Sequence, residues 1–284
     1  MIGFFHEVDP NKSGGKGKNL VELKNASFPV PPGFILTYDA YSRFKEANQI
    51  PGEMKELIST YYKELSRKTG SSMVAVRSSA SAEDLQTASF AGLYDTYLYV
   101  NSEEKLFKRI VDCWHSLFSE RATAYRKRMK VTETHPKMAV IVQTMVDPKS
   151  AGILFTTQPY QGKGKTNQKV MMVESNWGCG ETVVAGTATP DRFVISKNQP
   201  YTILEKIPGE KEVFLQGSQS GPITKQTPPD RRRNLSLTHH ELTRLCHLGN
   251  QMERHFAAPQ DIEWALTNDG KIFILQSRPI TKFS

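Results

Sequence analysis

The apolar positions change period along the chain, and those changes predict its elements. Between 53 and 68, Leu57, Ile58, Tyr61, Tyr62 and Leu65 recur among alternating Glu and Lys, which predicts an amphipathic surface helix. Leu242, Leu245, Gly249, Met252 and Phe256 keep helical spacing from His239 to Phe256. The stretch 103–130 predicts one long helix with Leu106, Ile110, Cys113, Trp114, Leu117 and Phe118 inward. Its late cations, Arg126-Lys127-Arg128, suit a helix C-terminus. Apolar or alternating runs predict strands at 73–76, 93–100, 138–146, 151–156 and 170–173, with 138–146 the best central strand. Thr37, after a proline-constrained extended segment, is placed to cap a helix from Tyr38 towards Asn48. Residues 217–234 are polar, Pro-bearing and basic, and read as a loop or mobile insert. The expected class is α/β (α+β) with two lobes, 1–146 and 147–284, because Asp147-Pro148-Lys149-Ser150 interrupts two apolar runs.

Feeding from the last helix is the stretch 259–280, where two apolar runs flank Asp269-Gly270. That dipeptide suits the type I′ turn of a tight hairpin. In that register Glu263 lies opposite Gln276 and Asp261 opposite Arg278. Alternation then puts all four on one face. Ile262, Trp264, Leu275 and Ser277 fall on the other. Two carboxylates, an amide oxygen and a guanidinium in one patch suit a divalent cation and a polyphosphate. The bland alternative is a surface hairpin whose charges pair with one another. An odd-numbered loop would shift the register and break the patch.

Composition narrows the classes. The chain has 284 residues, 38% hydrophobic and 23% charged, as in a folded globular protein. No run approaches the ~18 apolar residues of a membrane span, and the N-terminus lacks a secretory pattern. Cys113, Cys179 and Cys246 are widely separated, which argues against a disulfide framework or a structural zinc site and favours a cytoplasmic setting. A formal charge of +8 would attract a polyanion without specifying which.

One further segment is compatible with phosphate binding. The Gly-rich residues 13–19, just before a helical pattern at Leu20–Leu23, would let backbone N–H groups approach a phosphate, with Lys16 as a ligand. They do not have P-loop spacing, and a plain solvated turn is the competing reading. The strand at 73–76 delivers Arg77 into Ser78-Ser79-Ala80-Ser81, and Ser81 with Asp84 looks like a helix cap. Residues 87–92 are small apart from Phe90, which suits a close-fitting flap or an ordinary loop. Cys179 sits between two glycines, with no neighbouring base to make it a nucleophile.

Four segments together resemble the N-terminal nucleotide-binding domain of the pyruvate, water dikinase (phosphoenolpyruvate synthase) family, which includes rifampin phosphotransferases and pyruvate, phosphate dikinases. They are Gly-Gly-Lys-Gly-Lys-Asn-Leu at 14–20, Val-Arg-Ser-Ser-Ala-Ser-Ala-Glu-Asp at 76–84 with Ala-Ser-Phe-Ala-Gly at 88–92, Asn-Trp-Gly-Cys-Gly-Glu at 176–181, and the hairpin at 260–280. The resemblance implies an ATP-grasp fold, with ATP held between two lobes, and kinase activity that uses ATP and Mg²⁺. It further implies that Lys16 and Arg77 neutralise the phosphates while Gln143 and the backbone of Met145 hold adenine. Glu263 and Gln276 would ligate Mg²⁺, with Asp261 and Arg278 completing the metal–phosphate patch and Glu174 in support. Cys179 stands where a Leu is usual, and Ser81 where a Thr is common.

Members of the family pass phosphate through a histidine on a swivelling domain, in a Gly-rich Thr-Cys-His setting. None of His6, His115, His135, His239, His240, His247 and His255 has that setting. The expected partners are therefore a phosphohistidine domain and an acceptor-substrate domain supplied elsewhere. The chain then reads as an excised ATP-binding domain or one polypeptide of a split enzyme. Two other readings stand beside it, a nucleotide-holding module without chemistry and a stand-alone ATP-grasp ligase. Nucleic-acid binding is disfavoured, since Arg231-Arg232-Arg233 and Arg126-Lys127-Arg128 lack interleaved aromatics.

Overall fold

The computed structural model of the chain describes residues 1–81, 94–128, 136–157, 169–218 and 221–280. The flap expected at 87–92, the Asp84 partner of the Ser81 cap and the polar loop tip at 161–168 lie outside them. The chain divides into two compact units, Met1–Met145 and Val146–Ser218 with Pro222–Ser284. Among the described residues no helix is long and apolar enough to cross a membrane.

The first unit holds β1 (Ile2–Phe4), α1 (Gly14–Asn25), β2 (Gly33–Leu36), α2 (Tyr38–Ala47), α3 (Gly52–Thr69), β3 (Val74–Ala80), β4 (Thr96–Val100), α4 (Glu103–Ser116), α5 (Glu120–Arg128) and β5 (Met138–Thr144). Its antiparallel sheet runs β1-β2-β5-β3-β4, so β5 takes the central place its uninterrupted apolar run predicts. Phe34, Leu36, Val74, Val76, Val140 and Val142 point to one face and form the core with Met54, Ile58, Leu65, Leu106, Ile110 and Trp114. Alternation sends Ala75, Arg77, Ser79, Gln143 and Ile141 to the opposite face.

Two helical expectations need correction. The stretch 103–130 is not one helix: α4 ends at Ser116, whose hydroxyl turns back to the Cys113 carbonyl (2.7 Å). Ser119 then starts α5 by accepting from the Ala122 N–H (3.2 Å). Phe118, expected inward, falls in that break and is 56% exposed. Thr37 does precede α2, but its hydroxyl bonds the Met1 carbonyl (3.0 Å) and makes no cap bond.

The second unit holds β6 (Pro148–Phe155), β7 (Val170–Trp177), α6 (Glu181–Val184), β8 (Asp191–Ser196), β9 (Ile203–Ile207), β10 (Val213–Ser218), β11 (Gly221–Gln226), α7 (Pro229–Arg233), α8 (His239–Phe256), β12 (Gln260–Thr267) and β13 (Ile272–Pro279). An antiparallel six-stranded sheet runs β13-β12-β6-β7-β8-β9, and β10-β11 form a separate ribbon. Residues 217–234, expected as a loop or mobile insert, build most of that ribbon and α7. Their polar composition reflects exposure of β11, and Pro229 suits the first turn of α7.

α8 begins with a capping box, Thr238 bonding the Glu241 N–H and Glu241 returning to the Thr238 N–H. Lys149 also bonds Glu241 (2.7 Å) and ties the helix to β6. Gly249 lets α8 lie close on the sheet, since a Cβ there would come within 2.5 Å of Leu154 Cδ2. Ile262, Leu154, Val173 and Phe193 are all buried on the α8 side. Fully burying such a side chain contributes about 1.5–3 kcal/mol.

Candidate functional site

The hairpin of β12 and β13 carries the polar patch by a route other than the one its sequence suggests. Its loop is odd-numbered. Thr267 N–H bonds the Lys271 carbonyl (2.9 Å) across Asn268, Asp269 and Gly270, and Gly270 has φ +79°. This is a three-residue turn that needs glycine in the left-handed region, not a type I′ turn. The pairs next to it, Leu266 with Ile272, Ala265 with Phe273 and Trp264 with Ile274, are accordingly one residue out of the expected register. A bulge between Glu263 and Trp264 then takes up the extra residue, Leu275, and restores it. Glu263 therefore does face Gln276, and Asp261 faces Arg278. The residue filling the buried face opposite Trp264 is Ile274, not Leu275.

Within the patch, Gln276 Nε2 donates to Glu263 Oε1 (3.2 Å). Arg278 sends Nε (2.8 Å) and Nη2 (2.6 Å) to the same oxygen, Oδ2 of Asp261. Asp261 is a buried anchor, while the Arg278 side chain is 44% exposed. Burial pushes the Asp261 carboxyl above its usual range, Arg278 opposes that rise, and the charge of Glu263 adds to it. The patch offers hard oxygen donors on two carboxylates and one amide, which fits a cation that completes its shell from phosphate and water. No group of three or more His, Cys, Asp or Glu able to hold a metal occurs among the described residues.

Neighbouring strands extend this face. Register carries Glu263 across Ile153 to Glu174 and then to Arg192. The next row runs from Asp261 across Phe155 and Met172 to Val194. Arg192 donates Nε (3.0 Å) and Nη2 (2.8 Å) to Oε1 of Glu174. Arg192 was not singled out from the sequence. The alternation of Asp-Arg-Phe-Val-Ile-Ser at 191–196 is the signal that could have found it.

In the first unit, the Gly-rich segment is part of α1 itself and not a turn ahead of it. Its glycines serve close packing. A Cβ on Gly14 (φ +70°) would lie 2.2 Å from the Ser79 carbonyl oxygen, and Gly17 N–H donates to Ser79 Oγ (3.0 Å). Lys16 Nζ reaches the Ser78 carbonyl (3.2 Å), one residue beyond Arg77. Arg77 is buried on β3 between Ile141 and Thr96. Gln143 shares its face, buried, with Nε2 3.4 Å from the Pro31 carbonyl. The Met145 N–H donates to the Met73 carbonyl (2.9 Å).

The segment 176–181 is a structural joint. Asn176 Nδ2 bonds Thr182 Oγ1 (3.0 Å) and the Val213 carbonyl (2.9 Å), and Trp177 Nε1 bonds the Arg231 carbonyl (3.0 Å). Gly178 (φ +66°) has no room for a Cβ against the Leu215 carbonyl, 2.2 Å away. Cys179 is buried and bonds Leu215 through its N–H (2.8 Å).

The family described as Pyruvate phosphate dikinase, AMP/ATP-binding domain matches residues 11–59 and 46–284. A probable phosphoenolpyruvate synthase of Methanothermobacter thermautotrophicus is 35% identical over 320 residues, covering 99% of this chain and 46% of that protein. The phosphoenolpyruvate synthase of Pyrococcus furiosus is 32% identical over 361 residues, with coverage of 99% and 44%. The rifampicin phosphotransferase of Bacillus cereus is 34% identical over 317 residues, with coverage of 98% and 35%. This chain belongs to the pyruvate phosphate dikinase AMP/ATP-binding domain family. It spans less than half the length of these relatives. Among solved structures, a D-alanine-D-alanine ligase from Coxiella burnetii overlays at a TM-score of 0.43 and 10% identity, covering 93% of this chain and 47% of that one, too loosely to bear on chemistry.

Proposed function

We propose that this chain is the ATP-binding part, of ATP-grasp type, of a dikinase-type phosphotransferase. It binds Mg²⁺·ATP and delivers phosphate to a histidine on a separate swivelling domain, for eventual transfer to pyruvate or to a rifamycin-type antibiotic. The observation that carries the reading is the restored register of the hairpin, which assembles Glu263, Gln276, Asp261 and Arg278 on one face. Family membership supplies the nucleotide.

Phosphoryl transfer needs chiefly alignment and charge neutralisation. Glu263 and Gln276 would hold the cation, which supplies positive charge against the phosphates when bound. Arg278, aimed by the buried carboxylate of Asp261, offers a fixed guanidinium to phosphate. In the first unit, Lys16, bonded to the Ser78 carbonyl, and Arg77, the residue before it on β3, would add positive charge against phosphate. Gln143 and the Met145 carbonyl would read the adenine edge. The reacting histidine and the acceptor come from outside this sequence.

The test mixes the chain with a polypeptide bearing the family's histidine domain and ATP labelled in its terminal phosphates. Label should pass to that histidine, and Glu263→Gln should abolish the transfer. Rapid hydrolysis of ATP by this chain alone, or failure to label the histidine, would overturn the proposal.

A further inference from the structure

The metal-and-phosphate patch occupies one end of a longer polar row. Two strands away, on the same face, stands Glu174, and beside it Arg192. Adjacent strands lie about 4.8 Å apart, so Glu174 sits roughly 10 Å from Glu263 across Ile153. The floor beside them is apolar. Ile153, Phe155 and Val194 are half-buried, and Met172 is buried. A carboxylate there is held by a guanidinium that spends two donors on one of its oxygens, Oε1. Among the described residues no hydrogen bond is made to its second oxygen, Oε2. Glu174 is the less exposed of the two, its side chain 17% exposed against 50% for Arg192.

We infer that Glu174, oriented by Arg192, recognises the sugar hydroxyls of the bound nucleotide. The inference rests on the nucleotide-binding reading above. With the phosphates anchored at Glu263 and Arg278, an extended nucleotide reaches its ribose after several bonds, about the span from one polar group to the other. A carboxylate oxygen is an acceptor-only group, matched to the O–H donors of a ribose and mismatched to further phosphate. Arg192 is a positioning residue. By engaging Oε1 through two N–H groups it fixes the carboxylate plane and leaves Oε2 for the ligand. The apolar floor alongside covers the flat faces of sugar and base without competing for hydrogen bonds.

Calorimetric titration with ATP, 2′-deoxy-ATP and 3′-deoxy-ATP, all with Mg²⁺, tests the assignment. A hydrogen bond to a charged acceptor contributes enough that the wild-type chain should prefer ATP over at least one deoxy analogue by about tenfold. Glu174→Gln should bring that preference close to parity, with ATP affinity lowered to the level of the deoxy analogue. Arg192→Met should weaken the preference several-fold while leaving the affinity for inorganic triphosphate unchanged, a readout that loss of folding would not spare. Both analogues bound as tightly as ATP by the wild type, or a preference undiminished in Glu174→Gln, would overturn the inference while leaving ATP binding itself standing. No binding of ATP at all would overturn the nucleotide reading and this inference with it.

Discussion

Lys211 is fully buried, and so is the carboxylate it meets. Its Nζ lies 2.5 Å from Asp191 Oδ1 and 2.8 Å from the Gly209 carbonyl. Asp191 also accepts from Gly209 N–H (2.9 Å), Ser236 N–H (2.7 Å) and Ser236 Oγ (2.8 Å). The pair pins the 209–211 turn to β8, next to the strand that bonds Asn176 and Cys179. Lys211→Met removes the cation and leaves a buried carboxylate with three hydrogen bonds. Removing one partner of a buried ion pair typically costs 3–5 kcal/mol. The three surviving donors place this case at the low end, about 3 kcal/mol. For a unit of this size that corresponds to a fall of roughly 6–12 °C in Tm. Urea titration followed by tryptophan fluorescence suits the measurement, because Trp177 and Trp264 both lie in this unit. The double variant Asp191→Asn/Lys211→Met should recover at least half of the loss, since no charge then stays unpaired. A single-variant loss below about 1 kcal/mol, or a double variant no better than the single, would refute the reasoning.

Lys16→Ala and Arg77→Ala should each weaken ATP binding by about 1.5–3 kcal/mol while sparing adenosine, as charge-assisted phosphate contacts do. Losses below about threefold, with the fold intact by circular dichroism, would return both residues to a structural role. Asp261 gives a pH prediction. Burial raises its folded-state pKa above the ordinary value of 3.8, so its contribution to stability is full below that value and is lost as pH rises through the folded pKa. The stability gap between wild type and Asp261→Asn should therefore move in favour of the variant as pH rises from below 3.8. Urea midpoints over a pH series check it, and a flat gap would contradict the assignment of burial as the leading cause.

The hairpin shows how far the sequence could be read. Facing of Glu263 with Gln276 followed from alternation and one assumed turn, yet the turn has three residues and a bulge corrects it. Two irregularities that cancel are invisible to period counting, because Leu275 continues the apolar run of 272–274 and Asn268 is as polar as Thr267 and Asp269. The central place of β5 and the span of α8 were legible, since long uninterrupted patterns leave little choice of period. The break after Ser116 was not, because Leu117 and Phe118 continue the apolar spacing although the chain turns there. Glycines 14 and 17 pack against Ser79, a tertiary contact with no local signature. Arg192 went unread because its meaning depends on Glu174, eighteen residues away and paired only through the sheet.

Calorimetric titration of ATP with and without Mg²⁺, on the wild-type chain and on Glu263→Gln, bears most directly on the central claim. With Mg²⁺ absent, the phosphates face the carboxylate of Glu263 with no cation between them, since Arg278 is shared with Asp261. The wild type should therefore bind ATP weakly without Mg²⁺ and much more tightly with it, and Glu263→Gln should lose most of that enhancement, with a metal-free affinity at or above that of the wild type. Equal wild-type affinities in the two conditions would remove the hairpin from any metal-and-phosphate role.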